Sequence, residues 1–183
     1  MRRVARISMG ALLLLTLGSC SYAYSLEAVV IDGRLAFVVA PWSERSASCI
    51  NGIEVEIGDG GPTAKPAPGD DARLVNGDVY WWEFLAVDSC PNPFPIFYGQ
   101  PLRGAPFIYE DGKPSTVAAK PLVIGHVYSV STTGSGSGAG GGWFRITADG
   151  RVENWKRDPL PSVVNAQGYT MNAGERVPPP PNG

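Results

Sequence analysis

Few side chains in this 183-residue chain could carry a reaction. His126 is the single histidine, and serines and acids are frequent enough to make a Ser-His-Asp set arithmetically possible. A nucleophilic serine of that kind commonly sits in a Gly-x-Ser-x-Gly turn, and no such pentapeptide occurs. A histidine that follows a glycine at the start of a β-prone run is expected to be an edge residue in an ordinary hydrogen bond. Glu83, between Trp82 and Phe84, is the best single candidate for a carboxyl with a raised pKa, the requirement for a general acid in glycoside hydrolysis. Strand alternation can equally turn it to water. Asp59, Asp70 and Asp71 have the charge for calcium but lack the spacing of a calcium loop, and are expected to be solvated loop acids. Neither a metal nor a cofactor is expected.

The glycine tract Gly134 to Gly142 contains one formal G-x-G-x-x-G, from Gly136 to Gly141. A dinucleotide site needs that turn between a strand and a helix, so that the helix N-terminus meets the pyrophosphate. Here Trp143 to Ile146 is β-prone, and the tract reads as a flexible hairpin loop. Aromatic residues cluster at Tyr80, Trp81, Trp82 and at Phe94, Phe97, Tyr98. Consecutive strand residues face opposite sides, so Trp81 and Trp82 cannot share a face. One belongs to the core, and the other is the specific candidate for a surface that stacks on a sugar or packs on a protein.

The elements that would position these residues are short strands. Gly (23) and Pro (17) are scattered throughout, and each internal Pro costs a helix about 3 kcal/mol. Leu26 to Ile31 and Arg34 to Ala40 flank Asp32-Gly33 as a tight hairpin. Ile50 to Ile57 alternates apolar residues with Glu54 and Glu56, a half-buried strand with a wet acidic face. Gly58 to Asp71 reads as a surface loop. Val79 to Val87 is the most apolar strand. Ile96 to Tyr98, Phe107 to Tyr109, Leu122 to Ile124 and His126 to Thr132 are further strand candidates. Trp143 to Thr147 and Arg151 to Trp155 form a second hairpin about Asp149-Gly150. About eight short strands with hairpin connections indicate an all-β sandwich or small barrel over residues 26–157. A Pro-rich tail, residues 158–183, is expected to be disordered or polyproline II.

The N-terminus is the most specific feature. Arg2, Arg3 and Arg6 precede an apolar stretch from Met9 to Leu17, too short for the roughly 20 apolar residues that span a bilayer. Basic, apolar, then small residues is the layout of a secretory signal peptide. Leu17-Gly18-Ser19-Cys20 resembles the lipobox of bacterial lipoproteins. That resemblance implies diacylglycerol on the Cys20 sulfur, cleavage after residue 19 and acylation of the new amine. Residues 20–25 would then be a lipidated tether. Two or more acyl chains give stable anchoring, at ~0.8 kcal/mol per buried CH2. By resemblance to enterobacterial sorting, Ser21 implies the outer membrane, with the domain facing the periplasm.

Removal of the leader takes three arginines and no acid, leaving 12 basic and 17 acidic residues and a formal net charge of −5. A mildly acidic chain without a Lys/Arg cluster excludes nucleic acid as the expected partner. With Cys20 acylated, Cys49 and Cys90 remain. In an exported protein two such cysteines are expected to pair, worth about 4 kcal/mol in the chain-entropy account. A two-cysteine metal half-site is the rival, short of further ligands. Together these features lead to a non-enzymatic, lipid-anchored β-domain that interacts with an envelope protein or glycan. The alternatives are an envelope hydrolase using Glu83 or His126, and a small-ligand carrier with an internal cavity.

Overall fold

Asp32 and Gly33 take two consecutive positive φ angles, 50° and 74°, the geometry of a two-residue turn whose twist matches its flanking strands. They join β1 (Tyr22–Ile31) to β2 (Arg34–Val39), paired antiparallel from Leu26↔Val39 to Ile31↔Arg34. The computed structural model describes residues 22–76, 78–86, 90–110, 112–113, 115–134 and 138–156. Its further strands are β3 (Cys49–Ile50), β4 (Gly52–Ile57), β5 (Val79–Phe84), β6 (Asn92–Pro93), β7 (Ile96–Phe97), β8 (Thr116–Val117), β9 (Val127–Thr133), β10 (Gly138–Ile146) and β11 (Val152–Trp155). A single helical turn, α1 (Ala72–Val75), is capped by the Asp71 side chain, which accepts from the Arg73 N–H. The leader, Cys20 and residues 158–183 lie outside the described residues.

The fold is all-β, a curled sheet that forms a half-barrel. Its strand order is β7-β2-β1-β10-β9-β4-β5-β8, with β11 paired to the far half of β10 and a separate β3–β6 ladder. β10 thus changes neighbours midway. Its first residues pair parallel with Tyr22 to Ser25, and Trp143 to Ile146 pair antiparallel with β11. Where β1 leaves β10, the Asn154 amide replaces a strand. It donates to the Ala28 carbonyl at 2.9 Å and accepts from the Ala28 N–H at 2.7 Å. Cys49 and Cys90 are disulfide-bonded, with Cα atoms 5.5 Å apart.

Four expectations need correction. Residues 22–25 are the first rungs of β1 and not a tether. The alternating Tyr22 and Tyr24 find partners in Gly138 to Gly141 that sequence periodicity could not name. Likewise, Gly138 to Gly142 are strand and not a flexible loop. A Cβ on Gly138 would meet the Tyr22 ring, one on Gly140 the Tyr24 ring, and one on Gly142 the Leu26 backbone. Every second residue is glycine because a neighbouring ring or chain occupies the space of a side chain. Leu122 to Ile124 form no strand. The turn at Gly125 (φ 90°) hangs them beside β9 and β10, with the Val123 N–H on the Tyr128 hydroxyl and the Gly125 N–H on the Ile146 carbonyl. Phe107 to Tyr109 make no named strand either, although Ile108 lies in a bridge and the Leu85↔Pro106 bridge adjoins them.

Alternation assigns the inner face. Ile53, Val55 and Ile57 of β4 stand level with Thr132, Val130 and Tyr128 of β9, and all are buried. A bulge between Val55 and Glu56 shifts the β5 register, which lets both Tyr80 and Trp81 join the core. Rings then fill the half-barrel. Tyr80 meets Tyr128 edge-on at 5.2 Å, Tyr128 stacks on Phe144 at 5.6 Å, Phe144 meets Phe37 at 5.4 Å, and Trp81 meets Tyr98 at 5.5 Å. Each buried phenol reaches an oxygen or N–H. Tyr98 donates to the Lys120 carbonyl, Tyr80 to the Pro62 carbonyl, and Tyr24 shares a hydrogen bond with Thr132.

Candidate functional site

The residues left on the outer face form two rows that can be read from the register. One runs Trp82, Glu54, Ser131, Gly141 across β5, β4, β9 and β10. The next runs Glu56, Ser129, Trp143 and on to Trp155 of β11. Ser131, Gly141 and Ala139 are exposed, and Trp143 is half-buried. Three strand spacings of roughly 4.8 Å put β5 and β10 about 14 Å apart along the sheet. Aromatic rings therefore flank a floor of serine, glycine and carboxylate.

Glu54 and Glu56 are two residues apart and point to the same side. Burial beneath neighbouring side chains, a hydrogen bond to Glu56 and the charge of Glu56 push the Glu54 carboxyl up to about 8. Glu54 therefore keeps its proton at neutral pH and can donate a hydrogen bond, as a carboxylate cannot. This face was expected to be wet, and Glu54 and Glu56 are half-exposed with Ser131 open beside them. Opposite Glu54, Trp82 leans on Phe84 (centroids 4.5 Å apart) and packs against the Val75, Val79 and Val117 cluster beneath α1. The i, i+2 spacing of the two acids is plain in the sequence, but the β4–β5 pairing that brings Trp82 beside Glu54 is not.

The aromatic pair divides as alternation requires. Trp81 is 2% exposed and belongs to the core, which removes it from the interaction surface. Trp82 is on the outer face, half-buried, and its indole N–H has no hydrogen-bond partner among the described residues.

The candidate catalytic residues are not brought together. Glu83 faces inward, half-buried, and accepts from the Leu102 N–H at 2.9 Å. Burial raises its pKa, while Leu102 and Trp81 partly offset that. Glu83 is level with Ile53 and so with Thr132. His126 is six residues along the chain from Thr132, about 20 Å at strand spacing. Its Nδ1 lies 3.1 Å from Asp59, which also accepts from the N–H groups of Val127 and Gly61. Burial raises the Asp59 carboxyl, but the Val127 N–H and His126 outweigh it, and the pKa falls below its ordinary value.

The loop acids are not free solvated groups. Asp70 forms an ion pair with Lys120, side chains 2% and 9% exposed, and accepts from the N–H groups of Ala67 and Ala118. Burial raises Asp70, and those partners lower it by more. Asp71 caps α1 and holds Arg73. Among the described residues, no three His, Cys, Asp or Glu side chains gather as a metal would require. No described helix is long and apolar enough to cross a membrane. The chain matches no family model, no curated protein and no solved structure.

Proposed function

We propose that this protein is an acyl-anchored lipoprotein of the bacterial envelope, its β-domain a non-enzymatic module that binds a glycan across the outer face of the sheet. The observation that carries the glycan is the register that sets Glu54 and Glu56 between Trp82 and Trp143 on a floor of Ser129, Ser131 and Gly141. A sugar polymer presents alternating apolar faces and hydroxyls. Indole rings take the faces, and a neutral carboxyl, a serine hydroxyl and a carboxylate supply both donors and acceptors for the hydroxyls. A surface about 14 Å wide suits an oligomer better than one ring.

The anchor rests on Leu17-Gly18-Ser19-Cys20, and the outer-membrane address, periplasm-facing, on Ser21. Support for binding over hydrolysis comes from the roles of Glu83 and His126. Each is spent on holding a loop, through Leu102 and Asp59 respectively. Support against a carrier comes from the interior, which Phe37, Tyr80, Trp81, Tyr98, Tyr128 and Phe144 occupy.

Affinity electrophoresis and co-sedimentation with soluble and insoluble envelope polysaccharide test the proposal. Trp143→Ala and Glu54→Ala, each first shown to melt as a folded domain, should weaken binding by about tenfold, the effect of removing one anchor from a small interface. Wild-type retention that both variants leave unchanged would refute the outer face as the site.

A further inference from the structure

Because β1 starts at Tyr22, two residues after Cys20, the domain has almost no leash. Two extended residues reach at most about 7 Å, comparable to the headgroup layer of roughly 5–8 Å on each side of a bilayer. The end of the sheet from which Tyr22 emerges must then rest on the lipid surface. This step depends on Cys20 being the acylated residue.

The register identifies what else lies at that end. Ala23 is level with Ala139, Ala139 with Thr133, Thr133 with Gly52, and Gly52 with Phe84. The Phe107 N–H donates to the Phe84 carbonyl at 2.7 Å. Phe107 therefore aligns through five strands with the second residue of β1. Phe107, Ile108 and Tyr109 are 44%, 55% and 37% exposed, three consecutive large apolar side chains in water. Arg73 lies over the Tyr109 ring, 5.5 Å from its centre. The same end of the sheet carries Arg45, whose carbonyl holds the Ser43 hydroxyl that binds the Ser25 N–H, and Arg103, whose N–H donates to Asn92. Lys113 adds a third cation to Arg45 and Arg103, and Glu44, Glu110 and Asp111 match the three in number.

The opposite end differs. Val30, Val123 and Ile124 are exposed there, but they stand among Asp32, Asp59, Asp78 and Asp149, against Arg34 and Arg151. Carboxylates are repelled by an anionic leaflet, whereas lysine and arginine are attracted by it and aromatic rings favour the interface.

We infer that the Phe107–Tyr109 segment is a second membrane contact, docking the domain on the phospholipid surface beside the acyl chains. The acyl chains hold the protein to the bilayer; the aromatic segment fixes how it stands. With that end down, the strands rise from the surface and the Glu54–Trp143 face looks sideways, clear of the lipid.

The test uses the native chain, extracted from membranes and reconstituted into phosphatidylglycerol–phosphatidylethanolamine vesicles containing a photoactivatable carbene phospholipid. Flotation and the mass of the N-terminal peptide are read first, then crosslinked peptides are mapped. Crosslinks should concentrate on residues 103–113. The double variant Phe107→Ser with Ile108→Ser should float equally but lose about tenfold of that labelling, since burial of two apolar side chains is removed. An acylated, floating protein labelled evenly, or chiefly at 121–126, overturns the docking alone. A protein that neither floats nor carries acyl chains overturns the anchor and the docking with it. Should the double variant melt out, the wild-type crosslink map decides.

Discussion

On the inner face of the sheet Tyr80, Tyr128, Phe144 and Phe37 pack ring against ring, while the outer face of the same strands carries Glu56, Ser129 and Trp143. The difference is sharpest within one strand. Gly140 and Gly142 turn inward, where a Cβ would strike the Tyr24 ring or the Leu26 backbone, and Gly141 between them turns outward, where a Cβ would come no nearer than 4.0 Å to the Val130 carbonyl. Inside, glycine is demanded by close packing. Outside, it is tolerated by an open surface. Identical residues in a low-complexity run therefore have opposite mechanical roles, set by the two-residue period of the strand.

A buried ion pair, Asp70–Lys120, lies where the chain enters α1 at the edge of the sheet. Asp70→Ala would strip Lys120 of its partner and leave the Ala67 and Ala118 N–H groups unpaired. It should cost about 4 kcal/mol, the usual consequence of breaking a buried pair, measured by urea unfolding. A loss near zero would mean the pair contributes little to the fold.

Gly142→Ala should cost about 2–3 kcal/mol through overpacking, visible as a fall in Tm of about 10 °C or slightly less for a domain of this size. Glu54→Gln acts on pH dependence. An acid whose folded pKa is raised binds its proton more tightly in the folded state, so stability declines as pH rises from about 4.5 to about 8 and is level above. Removing the ionisable group should flatten that decline and stabilise the protein at pH 8 by about 1 kcal/mol, a figure reduced for the partial solvent access of Glu54. Asp59 and Asp70 act in the opposite sense. Their lowered pKa values give stability above the ordinary carboxylate range that is lost as pH falls through the folded values. Gly141→Ala should be the smallest effect, neutral or stabilising by about 0.5 kcal/mol, because a rigid residue replaces glycine in open space. If Gly141→Ala and Gly142→Ala destabilise equally, the assignment of faces is wrong.

Local chemistry made part of this legible from sequence. Asp32-Gly33 and Asp149-Gly150 are the turns of β1–β2 and β10–β11, and Ile53, Val55 and Ile57 point inward as their alternation requires. Pairing between distant segments was not legible. The parallel contact of Tyr22 to Ser25 with Gly138 to Gly141 joins chain stretches more than a hundred residues apart, and it decides both the start of β1 and the character of the glycine run. The Glu54–Glu56 pair was half legible. Its spacing was plain, but the partial cover beside it depends on Trp82 packing against Val75 of a helical turn that lies past the Gly58–Asp71 loop and carries no periodic signal. Glu83 and His126 were recognised as titratable groups of interest, yet their partners, Leu102 and Asp59, come from loops whose path carries no periodic signal.

The anchor and the membrane orientation both depend on Cys20 becoming the acylated first residue of the mature chain. Intact-mass spectrometry of protein extracted from its native membrane measures this directly. The predicted mass begins at Cys20 and includes a diacylglyceryl group and an amide-linked acyl chain. A mass that retains residues 1–19, or one that begins at Cys20 with no lipid, would contradict it.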